Sequence, residues 1–176
     1  MQIDYTNTFD DVLAFARHHY GSSNGIQRNV RVQRFGGVAI LGGYFLGLGC
    51  FSGSLFYFFV GAVTAVAWWV WIPRVLMNSY ERQVARTYDG HKNHGTFGPH
   101  RLDLTDDHLA ESNKFGESKV KWPAVERIES NEGRTFIYLS SAHAHIIPKD
   151  QVFSGDYDQF ISAAQTAFSG APAVAE

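Results

Sequence analysis

The strongest hydrophobic pattern in the chain is an uncharged run over residues 35–73. It holds no Asp, Glu, Lys, Arg or His across 39 positions, and Arg34 and Arg74 flank it. A single helix of this length would extend about 58 Å, about twice the thickness of the hydrocarbon core of a bilayer. Small and polar residues interrupt the run at 50–54. We therefore predict two transmembrane helices, about 35–51 and 55–73, joined by a tight turn.

Two other structures could produce the same run. A hairpin buried in a soluble core is one, although such cores rarely need 39 uncharged residues in a row. An interfacial segment is the other, but it should present a polar face, which this run does not have. The transmembrane hairpin is the prediction that the pattern favours.

Glycines are spaced four apart in the first predicted span. Gly43 and Gly47 form a GxxxG motif, and Gly49 with Gly53 repeats the spacing. Small residues at this spacing let helix backbones approach closely in lipid. They could form a dimer face, or they could hold the two helices of one hairpin together. The second is favoured because the partner helix is tethered by a short turn.

Residues 1–34 are predicted to form a strand and an amphipathic helix. Residues 2–6 alternate apolar and polar side chains, as a short strand does. Thr8 is a suitable N-cap for a helix over about 9–20, and Asp10 and Asp11 suit its first turn. The apolar stripe of this helix is expected to pack on the C-terminal domain, with the membrane surface as the alternative. It comprises Phe9, Val12, Leu13, Ala16 and Tyr20.

Residues 74–97 are predicted to continue the second span as a helix, kinked near Pro73 and ending near Asp89 and Gly90, before a linker over 91–99. Arginines lie on both sides of the apolar run, whereas the turn between the spans has no Lys or Arg. The positive-inside rule then places both termini in the cytoplasm. The flanking cations are Arg28, Arg31, Arg34, Arg74, Arg82 and Arg86.

Residues 98–170 read as an antiparallel β domain closed by one helix. Alternating runs predict strands near 100–105, 108–113, 117–121, 125–130, 134–139 and 143–147. Asp156 and Gln159 predict a capping box, and Tyr157, Phe160, Ile161, Ala164 and Phe168 form the buried stripe of the helix. Trp122 is expected in the core rather than at a contact surface, and residues 171–176 form a tail.

Charge and cysteine content narrow the possible functions. Residues 98–176 hold seven Lys or Arg and twelve Asp or Glu, a net charge of −5. Nucleic-acid binding needs a basic footprint, so no nucleic acid is expected as a partner. Cys50 is the single cysteine, which excludes an intramolecular disulfide and a cysteine metal site.

Histidines are the remaining candidates for chemistry. His91 and His94 lie with Asp89 and His100 near one Gly-rich linker, a spacing that zinc sites use. A linker lacks the rigid frame that such sites need, so no metal, cofactor or catalytic residue is predicted. His143 and His145 share one strand face and are expected to be exposed or half-buried. No serine-hydrolase elbow or phosphate-binding loop occurs, and the protein is not predicted to be an enzyme.

Several motifs together resemble the YcxB-like family of bacterial membrane proteins over most of the chain. The resemblance implies a two-span anchor, an inner-membrane location, a domain similar to a pleckstrin-homology-type fold, and no established enzymatic activity. Such a domain has seven strands; six are predicted after the spans, and residues 2–6 could supply another. The motifs are Tyr5-x-x-Thr8-x-x-Asp11, Leu102-x-Leu104-Thr105, Val120-x-Trp122-x-x-Val125, Phe136-x-Tyr138-Leu139 and Ile146-Ile147-Pro148-Lys149-x-x-x-Phe153.

The sequence therefore predicts an α+β membrane protein whose cytoplasmic β domain is a binding or interaction module. Its partners would be the lipid bilayer, an unknown protein, and a second copy of the chain through Gly43 and Gly47. An accessory subunit of an oligomeric complex is one alternative; a membrane enzyme or metal-binding protein using His91, His94 and His100 is a weaker one. The cations available to a lipid headgroup are Arg101, Lys119, Lys121, Arg127 and Lys149.

Overall fold

The computed structural model describes residues 1–88, 95–140 and 143–171, so the predicted linker histidines His91 and His94 lie outside the described residues. The chain divides into two compact units, one of Met1–His18 with Ala85–Glu176 and one of His19–Val84. The architecture is α+β, with long apolar helices, antiparallel sheets and a C-terminal helix.

The unit of residues 19–84 is built by long helices. After α1 (Phe9–Ser22) come α2 (Asn24–Ser52) and α3 (Leu55–Tyr88), and Gly53 ends α2 in the left-handed conformation that glycine adopts without strain. Both α2 and α3 are long and apolar enough to cross a membrane, and only 6% of the most apolar window of each is buried. The turn lies where it is predicted, but α2 begins at Asn24 rather than near residue 35.

Three glycines allow α2 and α3 to approach closely. A Cβ atom at Gly49 would lie 2.7 Å from the Phe58 ring, and one at Gly61 would lie 2.7 Å from the Cβ of Phe45. Gly37 faces the Trp68 indole in the same way. The hairpin-packing prediction is therefore correct for Gly49, and Gly61 of α3 packs in the same way. It is wrong for Gly43 and Gly47, where an added Cβ atom would meet nothing of the partner helix within 4 Å.

The other unit contains two antiparallel sheets. One has five strands in the order β4-β3-β2-β1-β8, and the other has three in the order β5-β6-β7. α4 (Tyr157–Gly170) follows them, and the Asp156 side chain accepts the Gln159 N–H, as predicted. The strands are β1 (Gln2–Asn7), β2 (Gly98–Leu104), β3 (His108–Asn113), β4 (Gly116–Lys121), β5 (Arg127–Asn131), β6 (Arg134–Ser140), β7 (His143–Pro148) and β8 (Val152–Ser154).

The strand count differs from the prediction in one element. The six predicted strands correspond to β2–β7, and the first segment does supply another, because β1 pairs with β2 over Gln2–Asn7. β8 was missed, since three residues are too few to show an alternation. Residues 105–107 connect β2 to β3, and Glu132 with Gly133, both at positive φ, connect β5 to β6.

The hydrophobic core of this unit receives side chains from both sheets and from α4. Ile3, Leu102 and Leu109 come from the five-stranded sheet, and Ile137 and Ile147 from the three-stranded sheet. Phe160, Ile161 and Ala164 add the buried stripe of α4, as predicted. Trp122, in a 3-10 turn after β4, is 2% exposed, and its Nε1 donates to the Thr105 carbonyl at 2.9 Å. The prediction of a core tryptophan is confirmed.

The second face of the three-stranded sheet packs against α1. Phe15 contacts the rings of Phe136 and Tyr138, with centroids 5.5 and 5.6 Å away. Asp11, fully buried, accepts from Arg134 Nε at 2.8 Å and from the backbone N–H of Thr8 at 2.9 Å. The helix packs on the domain, as predicted, and β6 is buried on both faces. The predicted stripe is only partly correct, because Phe15 lies outside it and Phe9, which belongs to it, is 40% exposed.

Asp11→Ala is expected to destabilise this unit by about 3 kcal/mol, because it leaves a partly buried guanidinium without its carboxylate. Urea unfolding of the full-length protein in detergent, followed by pulse proteolysis, measures the change. Asp10→Ala is the matched control: Asp10 is the exposed neighbour, and its loss should change stability by less than about 0.5 kcal/mol. Equal effects of the two substitutions would contradict the role given to the Asp11–Arg134 pair.

Candidate binding site: a histidine-lined cavity at Glu111

Strand alternation turns three ionisable side chains inward at one end of the core. On β3, Glu111 shares a face with the buried Leu109, and on β2, His100 shares a face with the buried Leu102. On β7, His145 shares a face with the buried Ile147. These positions would normally be apolar, so the sequence places a polar cluster where it must find its own partners.

Glu111 binds both histidines through its two oxygens. His100 Nδ1 lies 2.9 Å from Oε1, and His145 Nδ1 lies 3.1 Å from Oε2. His100 and His145 are 4% and 6% exposed. A carboxylate can only accept, so each imidazole donates its Nδ1 proton. One carboxylate therefore fixes the orientation of two rings that come from different sheets.

The electrostatics of the cluster favour an ionised Glu111. Burial raises the pKa of this carboxyl, but the hydrogen bonds from His100 and His145 outweigh burial and hold the pKa well below its usual value. Tyr5 stacks on His100 with ring centroids 5.7 Å apart. Burial, with the nearby Glu111 charge, raises the pKa of the Tyr5 hydroxyl well above its ordinary value, so Tyr5 stays protonated.

A cavity of about 120 Å³ adjoins this cluster. His100, His145 and Asn7 line it, and each carries a buried atom without a hydrogen-bond partner among the described residues. These atoms are the two Nε2 atoms and the Asn7 Oδ1. The volume exceeds that of one water molecule, and the wall is polar. The arrangement can accept hydrogen bonds or coordinate a cation. The further lining residues are Gly95, Thr96, Glu111, His143, Ala144 and Ile146.

The structure places three of the histidines discussed in the sequence and corrects the prediction for one of them. His100 is 4% exposed on β2, within the strand predicted near 100–105. His143 is exposed, as expected, but His145 is buried, so the prediction for His145 is wrong. The reason is that β7 turns His145 toward the core, opposite Ile137. Glu111 was not predicted; its signal was a charged residue two positions from Leu109 on an otherwise inward face.

One comparison with known proteins gives a match. Residues 104–164 match a family model described as YcxB-like protein. The chain contains a YcxB-like domain. The match begins at the end of β2 and ends within α4. No curated protein and no solved structure matches the chain significantly.

The YcxB-like match covers only part of the cavity wall. Glu111 and His145 lie inside the matched residues, whereas Asn7 and His100 lie before them. Two strands that lie mainly outside the match, β1 and β2, therefore complete the wall of this cavity. In the sequence, β1 precedes the long helices and β2 follows them.

Proposed function

We propose that the protein is a two-span inner-membrane protein that presents its YcxB-like domain in the cytoplasm as a non-enzymatic module for binding a protein partner. The main support for a membrane anchor is the exposed apolar surface of α2 and α3. Phe51 and Leu55 are 94% and 81% exposed, which in water would be unfavourable and in lipid is not.

Strand pairing supports a hairpin with both ends on one side. β1 precedes the long helices and β2 follows them, yet the two strands are hydrogen-bonded neighbours from Gln2 to Asn7. A chain that leaves a sheet and returns to it must cross a membrane an even number of times. Two crossings agree with this, and the arginines flanking residues 35–73 support a cytoplasmic location for that sheet.

Ion pairing favours a protein partner over an anionic lipid headgroup. Three of the five cations considered for lipid binding already have carboxylate partners. Arg101 bonds Asp4 at 2.7 Å, and Lys149 bonds Asp158 at 2.7 Å. Arg127 bonds Glu129 at 3.0 Å. A lipid phosphate would have to compete with these pairs in a segment of net charge −5.

A pleckstrin-homology-type fold is part of this proposal. Two antiparallel sheets closed by α4 support it, and the sheets carry eight strands in the described residues instead of the seven of a standard domain of that type. Folds of this kind present edges and loops on which partners dock, so the binding role follows from fold analogy.

Cysteine labelling tests the topology. In a Cys50→Ser background, Ser52→Cys at the turn should react with a membrane-impermeant maleimide in intact spheroplasts. Glu117→Cys, at an exposed position of β4, should react only after lysis. The two variants control for each other, because each has one cysteine at an exposed site. Labelling of Glu117→Cys in intact spheroplasts would contradict the cytoplasmic location of the domain.

Photo-crosslinking tests the binding role in native membranes. Phe115 and Phe153 are exposed aromatics of the domain, at 56% and 63%, and such side chains are enriched at interfaces. A photoreactive residue there should give discrete protein adducts. The same residue at Phe35, 61% exposed on α2, should give lipid adducts. Lipid adducts alone at the domain positions would contradict a protein partner.

A further inference from the structure

We propose that His100, His145 and Asn7 form a binding site for a divalent transition-metal cation of the Zn²⁺ or Cu²⁺ type. The Nε2 atoms of the two histidines would be the nitrogen ligands, and the Asn7 amide oxygen would be a further ligand. Water in the adjoining cavity would complete the coordination.

The tautomers of the two histidines follow from their shared partner. Each Nδ1 lies within 3.1 Å of a different Glu111 oxygen, and these oxygens only accept hydrogen bonds. Each neutral ring then carries its proton on Nδ1 and a lone pair on Nε2. An imidazole that donates one nitrogen to a carboxylate and offers the other is the common arrangement of histidine metal ligands.

The three candidate ligand atoms accept no hydrogen bond within the described part of the chain. His100 Nε2, His145 Nε2 and Asn7 Oδ1 are buried and have no hydrogen-bond partner there. All three residues are more than nine-tenths buried and line one cavity. Buried acceptors without partners are unfavourable, and a cation would satisfy all three together.

The ligand set selects the class of cation. Imidazole nitrogens suit Zn²⁺ and Cu²⁺, whereas Mg²⁺ and Ca²⁺ prefer sets of oxygen ligands. The described residues contain no group of three or more His, Cys, Asp or Glu side chains that could hold a metal ion. The site therefore depends on the Asn7 amide and on water, as an open site does, rather than on a closed set of four side chains.

Calorimetric titration of the tag-free, full-length protein in detergent, after chelator treatment and dialysis, tests the proposal. ZnCl₂ should bind with one ion per chain, and MgCl₂ should not bind. His145→Gln should weaken Zn²⁺ binding at least tenfold. His108→Gln is the matched control, because His108 lies at the start of β3 and does not line the cavity, and it should bind like the unsubstituted protein.

Two results would overturn the proposal. One is the absence of saturable Zn²⁺ binding. The other is binding that persists in a His100→Gln, His145→Gln double variant and disappears in a His91→Gln, His94→Gln variant, which would place the metal on the linker histidines instead. Thermal unfolding without metal reports whether each variant is folded.

If the histidine variants fail to fold, two other substitutions test the proposed metal site. Asn7→Asp adds a carboxylate beside the two imidazoles and should tighten Zn²⁺ binding about tenfold. Glu111→Gln leaves one Nδ1 without an acceptor and should weaken binding 10–100-fold, the usual effect of removing a partner of a metal-bound histidine. Unchanged affinity in both variants would contradict the site.

Discussion

Phe160→Asp is expected to unfold the YcxB-like domain in the full-length protein while the protein stays in the membrane fraction. Phe160 is fully buried in the core cluster with Trp122 and Leu102. Removing a buried phenylalanine costs about 3–5 kcal/mol, and an unpaired buried carboxylate adds a further penalty. The total is comparable with the whole stability of a typical domain, about 5–15 kcal/mol.

Pulse proteolysis of membranes measures this outcome, with alkaline extraction to test whether the protein remains integral. Phe153→Asp is the matched control, since Phe153 is 63% exposed and its replacement should leave protease resistance unchanged. A protease-resistant Phe160→Asp domain would show that α4 does not close the core. The full-length chain is required, because a fragment starting at residue 98 lacks β1, an interior strand of the five-stranded sheet.

Trp122→Ala is expected to lower the free energy of unfolding by about 3–5 kcal/mol. The indole fills the centre of the core, and its Nε1–H satisfies the Thr105 carbonyl. The substitution therefore opens a cavity and removes a hydrogen bond. Trp122→Phe keeps much of the volume and should cost less. Urea midpoints of the full-length variants in detergent, measured by pulse proteolysis, provide the comparison.

Phe115→Ala is the control for Trp122→Ala, because it truncates an aromatic of the same domain that is 56% exposed. Its urea midpoint should stay close to that of the unsubstituted protein. A Trp122→Ala variant that kept its midpoint and lost a crosslinked partner would make Trp122 a binding residue instead of a core residue.

Local patterns predicted the regular elements of the fold well. Alternation located β2–β7, the Asp156 cap located α4, and the length of the uncharged run indicated two long helices. The start of α2 was not predicted, because residues 24–34 are mostly polar and lie outside the uncharged run from which the helix was inferred. β8 pairs with β1 through only two residue pairs, so its existence depends on distant residues.

The candidate site was harder to predict because its members come from strands far apart in sequence. His100, Glu111 and His145 lie on β2, β3 and β7, and no spacing motif connects them. The sequence did contain one signal. On each of these three strands, a polar residue lies two positions from an apolar residue that faces the core. It does not specify which polar residues meet, since that depends on how the two sheets pack.

The position of β1 has a consequence for how the protein is made. This strand is synthesised before the long helices, and its neighbour β2 begins at residue 98, about 90 residues later. At a synthesis rate of about 5–20 residues per second, roughly 5–20 s pass between the synthesis of β1 and that of β2. During this interval α2 and α3 are synthesised, and the apolar face of β1, with Ile3 and Tyr5, has no sheet to join. Until β2 is made, this apolar strand is therefore open to non-native contacts, and a chaperone that binds unpaired strands would protect it.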